Sequence, residues 1–196
     1  MGVKLVSASA GSVEIVPPTT ASNYTATMPA GTGTVVVNGI NGSLVSGTAV
    51  NSTSGTSIDF TSIPSWVKRI TVMYAGISTS GTSALILQLG TSSGVVTSGY
   101  IGAMSYDAAR AIYTTGIGIQ NNGSATGISS GKTEVSLLGS NTWSANGIVG
   151  CTVAGTGEVY SSGASIALGG TLDRVRITTV GGTDTFDAGS INILYE

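Results

Sequence analysis

Apolar and polar positions alternate along most of this chain with a period of two. In "VKRITVMYAG" (67–76), Val67, Arg69, Thr71 and Met73 share one face and Lys68, Ile70, Val72 and Tyr74 the other. That is the pattern of a strand, whose successive side chains point to opposite sides of a sheet. "TSIDF" (56–60) places Ile58 and Phe60 together, while "SALILQLG" (83–90) is almost continuously apolar, as a strand buried on both faces is. Further strands are predicted at "GVVTSGYIG" (94–102), "KTEVSLLG" (132–139), "WSANGIVGCTV" (143–153), "ASIALGG" (164–170), "DRVRITTV" (173–180) and "GSINILYE" (189–196). Glycine-rich turns separate them at regular spacing, which predicts an all-β fold, an antiparallel β-sandwich of jelly-roll type over residues 55–196. Trp66 and Trp143 stand at strand starts and are expected in its core. "MSYDAARAIY" (104–113) is ambiguous: its alanines and the Asp107/Arg110 spacing suit a turn or two of helix, its neighbours a loop or strand.

The first 54 residues read differently. "VEIV" (13–16) stops at Pro17-Pro18, and residues 23–39 suggest two short strands around Pro29-Ala30-Gly31. "NGINGSLVSGTAVNSTSGT" (38–56) is a Gly/Ser/Thr/Asn linker with two Asn-Gly turn signals. Strands this short are marginal alone in water, so 1–54 is expected to be an attachment and oligomerisation segment with linker, packing on other chains.

Composition narrows the function. Charged residues are 8% of the 196 and the net charge is −2, too weak a field to favour nucleic acid or an anionic membrane surface. There is no histidine, so the commonest general base and metal ligand is missing, and Cys151 reads as a small buried hydrophobe. Asp184 and Asp187 permit a paired-carboxylate glycosidase, and with Asp173 a hard-cation site, but Asp among Gly and Thr more commonly caps a turn. The expectation is no enzyme, no metal and no cofactor. "GTGTVV" (31–36) lacks the third glycine and the lysine of nucleotide loops. The sequons at Asn23 and Asn51 are of a kind that recurs by chance in such a composition. Met1 to Leu5 has no apolar signal-peptide core and no apolar run approaches 18 residues, so neither a secretory leader nor membrane insertion is expected.

Three stretches resemble bacteriophage fibre proteins. "GSVEIVPPTTASNYTATMPAGTGTVVV" (11–37) resembles a segment of tail-fibre and tail-spike proteins. "GTSIDFTSIPSWVKRITVMYAGISTSGTSALILQLG" (55–90) and "GTLDRVRITTVGGTDTFDAGSINILYE" (170–196) resemble the C-terminal β-domain of tail-fibre and head-fibre-like virion proteins. The resemblance covers somewhat less than half the chain. It implies a trimeric virion protein with a β-sandwich head, and the lack of a long upstream shaft implies a short fibre, a head or collar appendage, or a truncated piece of a longer chain. Its partners would be copies of itself as a homotrimer, other virion proteins through the N-terminal segment, and a host-surface glycan or protein. Strands apolar on both faces, with little charge to guard the edges, also favour a closed oligomer; the number three comes from the resemblance.

On this reading the last strand is central in the sandwich. Asp173, Arg174, Arg176 and Asp184 are then sheet-surface or subunit-contact residues, the alternative being an ordinary solvated face. The expected receptor contacts are Tyr100, Tyr106, Arg110, Tyr113, Asn121 and Asn122, which gather aromatic, guanidinium and amide groups in the least regular stretch. The competing reading makes each tyrosine an amphipathic core-edge residue. An architectural decoration, collar or tail protein that touches no receptor is the second function class; a polysaccharide depolymerase would need clustered carboxylates in a larger domain.

Overall fold

The computed structural model describes residues 3–6, 12–15, 44–107, 109–121, 124–153 and 155–196. The strands expected over 23–39, the Asn-Gly pairs and the Asn23 sequon lie outside the described residues. The chain forms two compact units, Met1–Val35 and Val36–Glu196. In the first, β1 (Val3–Val6) and β2 (Ser12–Ile15) pair antiparallel, Val3 opposite Ile15.

The second unit contains β3 (Val45–Ser46), β4 (Val50–Asn51), β5 (Ser57–Phe60), β6 (Arg69–Thr79), β7 (Leu85–Thr91), β8 (Gly94–Val95), β9 (Ile101–Tyr106) and β10 (Ala109–Tyr113). It continues with β11 (Ile117–Gln120), β12 (Ile128–Gly139), β13 (Thr142–Val153), β14 (Thr156–Ala167), β15 (Arg174–Thr179) and β16 (Phe186–Tyr195). Among the described residues there is no helix. Two antiparallel sheets result. The large one runs β10-β9-β14-β13-β12-β6-β16-β3, with β4 also on β16; the small one runs β11-β7-β15-β5, with β8 on β7. The chain changes sheet after β4, β5, β6, β8, β10, β11, β14 and β15. Crossing so often ties the two layers to one core.

The alternation read from the sequence is the alternation of burial. Along β13, Trp143, Ala145, Gly147, Val149 and Cys151 are buried and the residues between them are exposed. Ile70, Val72 and Tyr74 of β6, with Ile191 and Ile193 beside them on β16, join Leu85, Leu87 and Leu89 of β7 and Val175 and Ile177 of β15 in one core cluster. Burying a side chain of this size is worth about 1.5–3 kcal/mol.

β7 is covered on both faces, as its unbroken apolar run predicts. Leu85, Leu87 and Leu89 enter the main core. Ile86, on the opposite face, packs with Met104, Tyr113, Cys151 and Tyr160 in a second, smaller cluster. Gly118 lies opposite Ile86 on β11, and a Cβ there would stand 2.9 Å from Cε2 of Tyr113. The missing side chain lets the Tyr113 ring lie against the β11 backbone.

The terminal strand is internal. β16 pairs with β6 from Phe186 opposite Thr79 to Tyr195 opposite Ile70. Glu196 extends the pairing, accepting from the Lys68 and Arg69 N–H groups at 2.6 and 2.9 Å, and its carboxylate meets Arg69. The far edge of β16 is covered by β3 and β4, with Gly47 N–H donating to Ile193 O at 2.8 Å and Ser52 N–H to Gly189 O at 3.0 Å. Residues 44–52, which the linker composition groups with the N-terminal segment, thus pair within the second unit.

Three local expectations change. "GVVTSGYIG" is two strands, β8 and β9: Gly99 takes a positive φ of 85° and breaks the run, and the Tyr100 hydroxyl ties the bend back to β7. "MSYDAARAIY" is the β9–β10 hairpin, with Tyr106 opposite Ala109 and Asp107 at φ 46°, where a side chain that bonds local backbone is tolerated. Trp143 is in the core, but Trp66 is half-buried at its rim, its ring 5.9 Å from that of Tyr195.

Candidate functional site

The six expected contact residues separate by strand face. Alternation along β9 turns Met104 and Tyr106 toward the second cluster, and along β10 it turns Ala111 and Tyr113 the same way. Asn121 follows β11 directly and lies between the two tyrosines. The Tyr113 hydroxyl donates to Asn121 Oδ1 at 2.6 Å, and Asn121 Nδ2 donates to the Tyr106 hydroxyl at 2.7 Å. The carboxamide therefore bridges two phenols at the hairpin's end of the sandwich. Tyr113 spends its proton on that bridge, whereas Tyr106 accepts and keeps its own proton for an acceptor. Tyr106 is half-buried, and its ring rests on Tyr160 with centroids 5.2 Å apart.

Beneath this layer is a second row of polar groups. The Tyr160 hydroxyl donates to Glu158. Ser129 Oγ donates to Gln120 Oε1 at 2.8 Å, and Gln120 Nε2 meets the buried Cys151 sulfur at 3.3 Å. Burial pushes the Tyr113 hydroxyl up to about 12, with Tyr106 nearby adding to the shift. Tyr113 is thus neutral throughout the physiological range and acts as a fixed donor. The arrangement is a preorganised set of amide and phenol groups on a rigid hairpin, suited to hydrogen-bonding and aromatic contact with a polar ligand.

The other expected residues lie elsewhere. Tyr100 is 2% exposed in the main core cluster, accepts from Leu89 N–H at 2.7 Å and donates to Val96 O at 3.1 Å. Burial pushes its hydroxyl up to about 12. Arg110 is exposed and pairs with Ser105 across the hairpin, on the face opposite Tyr106 and Tyr113. Asn122 lies outside the described residues. Sequence reading missed Tyr160, Glu158, Gln120 and Ser129. The alternation in "GEVYSSGASIA" marks Tyr160 as inward, but only the register sets it under Tyr106.

The aspartates and arginines serve the frame. Asp184 accepts from Ser83 N–H at 2.8 Å, the turn-capping role, and its carboxylate packs against Gly81, where a Cβ would be 2.3 Å from Cγ. Asp173 pairs with Arg174 at 3.0 Å, and Asp187 is exposed. Among the described residues, no group of three or more His, Cys, Asp or Glu could hold a metal ion. Arg176 grips Asp59 with two bonds of 2.7 and 2.8 Å on the outward face of the small sheet, beside Gln88. Comparison with protein-family models, with curated proteins and with solved structures finds no match for this chain.

Proposed function

We propose that this chain is a bacteriophage virion structural protein, a short trimeric fibre-like appendage that binds the host surface and is not an enzyme. The single observation that carries the reading is the Tyr106–Asn121–Tyr113 bridge, fixed at the end of an all-β sandwich. A hydroxyl donor and an aromatic edge held by a rigid hairpin suit contact with a host glycan or protein at little entropic cost. The resemblance of residues 11–37, 55–90 and 170–196 to fibre proteins supports the virion assignment, with the first unit, Met1–Val35, as the attachment segment. The frequent sheet changes between β4 and β16 support a jelly-roll order for the sandwich.

The test is adsorption. The purified full-length protein should compete with phage for susceptible cells. Tyr106→Ala and Asn121→Ala should weaken that competition while leaving the strand signal in circular dichroism intact. Failure of the unmutated protein to bind cells or a glycan array favours the architectural reading, a decoration, collar or tail protein. A specific observation supports that alternative too: the outer face of the large sheet carries the exposed aliphatic side chains Ile101, Ile112, Ile148 and Val159.

A further inference from the structure

We propose that the outward face of the large sheet, over β10, β9, β14, β13 and β12, is the surface on which a second copy of this chain docks. The inference rests on the self-assembled appendage proposed above and names the surface that assembles it.

The register assigns the residues of this face. Ile112 lies opposite Ala103, Ala103 opposite Gly163 and Gly163 opposite Asn146. The next row is Arg110, Ser105, Ser161, Ile148 and Lys132, and Val159 lies opposite Gly150 in the row beyond. An antiparallel sheet with one face toward water normally carries long polar and charged side chains there. Here Ile112 is 83% exposed, Ile101 78%, Ile148 62% and Val159 60%. Between them are glycine, serine and alanine, which leave the sheet smooth. β10 is also the edge of the sheet, and Arg110 is its one charge; exposed edges are usually guarded more heavily.

The face is complementary to itself. Ile101, Ile112, Gly102, Ala103 and Gly163 line an apolar groove of ≈ 580 Å³ at the β10 end. Ile148 and Val159, on the same face, are aliphatic side chains of the kind that fill such a groove. A surface carrying both the groove and its filling fits another copy better than an unrelated partner. Charge agrees: Lys132 and Glu134 are outward neighbours of opposite sign on β12, so Lys132 of one copy can meet Glu134 of the next. Size agrees as well. Strands of five to twelve residues, with neighbours about 4.8 Å apart and a rise of about 3.3 Å per residue, give these five strands a face on the order of 700 Å², close to what one partner contributes. A stable interface takes about 800 Å² from each partner.

Sedimentation velocity on the full-length chain tests this. The unmutated protein should be an oligomer at micromolar concentration. The double variant Ile112→Glu, Ile148→Glu should dissociate, its dissociation constant raised about a hundredfold or more, while the strand signal is kept. Val180→Glu, at an exposed aliphatic position outside this face, should leave the mass unchanged. Should the glutamates unfold the chain, Ile112→Ser with Ile148→Thr makes the same test with strand-compatible residues. An oligomer whose mass survives either folded double variant overturns this surface but leaves the assembled reading standing. A monomeric unmutated protein overturns both.

Discussion

The two sheets of the sandwich use the same residues, Val, Ile, Leu, Ser, Thr and Gly, yet they are covered differently. β7, inside the small sheet, buries both faces, with Leu85, Leu87 and Leu89 in the main core and Ile86 in the second cluster. The polar Gln88 on its outer side is 6% exposed and donates to Thr115 O at 2.8 Å. The large sheet has one covered face and one open face, and the open one carries isoleucines at 83% and 62% exposure. An apolar residue in a strand therefore does not by itself report the core of one chain. In β7 the cover comes from the same chain, and on the large sheet nothing in the described part of this chain supplies it.

The largest test of that contrast is truncation on each side. Leu87→Ala removes a side chain that is 0% exposed and should lower stability by about 2–5 kcal/mol. Ile148→Ala, measured by urea unfolding at a dilution where any oligomer has dissociated, should change stability by no more than about 0.5 kcal/mol. Equal losses at the two positions would dissolve the distinction between covered and open faces.

Alkaline titration sharpens the contrast one tyrosine at a time. Tyr74, Tyr100 and Tyr113 all lie on covered faces, and desolvation raises all three from an ordinary 10.0: Tyr100 and Tyr113 to about 12, Tyr74 further. Between pH 10 and 12 the unfolded chain has released these protons and the folded chain still holds them. Stability contributed by the raised groups is complete below about pH 10 and falls as pH climbs toward 12, by up to about 1.4 kcal/mol per pH unit for each group. Urea midpoints from pH 8 to 12 should show this decline, and Tyr113→Phe should remove one group's share of the slope. A flat profile to pH 12 would mean that these hydroxyls ionise as readily folded as unfolded.

Much of this architecture is legible in the chain, because strand alternation and burial alternation share one period. β6, β13 and β16 fall where their patterns predict, and the doubly covered β7 is visible in "LILQLG". The hairpin at 101–113 is masked in the sequence, since Ala-rich "DAARA" carries helix propensity that pairing with β14 overrides. The strap made by β3 and β4 was hidden by its linker-like composition: Gly47 and Ser52 serve close approach and backbone capping, and a Cβ on Gly47 would stand 2.9 Å from Ile193 Cγ1. Of the candidate site, residue types could be gathered from sequence. Only register could move Tyr100 into the core and Arg110 to the opposite face while bringing Tyr106, Tyr113 and Asn121 together.

The smallest expected effect concerns the outward face of the small sheet, where Asp59, Arg176 and Gln88 stand in one row on β5, β15 and β7. Arg176 and Asp59 make a two-bond ion pair, but their side chains remain 37% and 32% exposed. Water screens such a pair, so Asp59→Asn should cost only about 0.2–1 kcal/mol. The loss should shrink between low salt and 1 M, where screening acts within about 3 Å. The pair also probes the contrast between the sheets. Gln88 is closed off by the chain's own Thr115, whereas the Asp59–Arg176 pair beside it is solvated, so the small sheet's cover ends between β7 and β15. A loss of 3 kcal/mol or more that salt leaves untouched, the order expected for breaking a buried pair, would show that this edge is covered too. The small sheet would then be a second contact face in the assembly, and the division between a closed sheet and an open one would have to be redrawn around the oligomer.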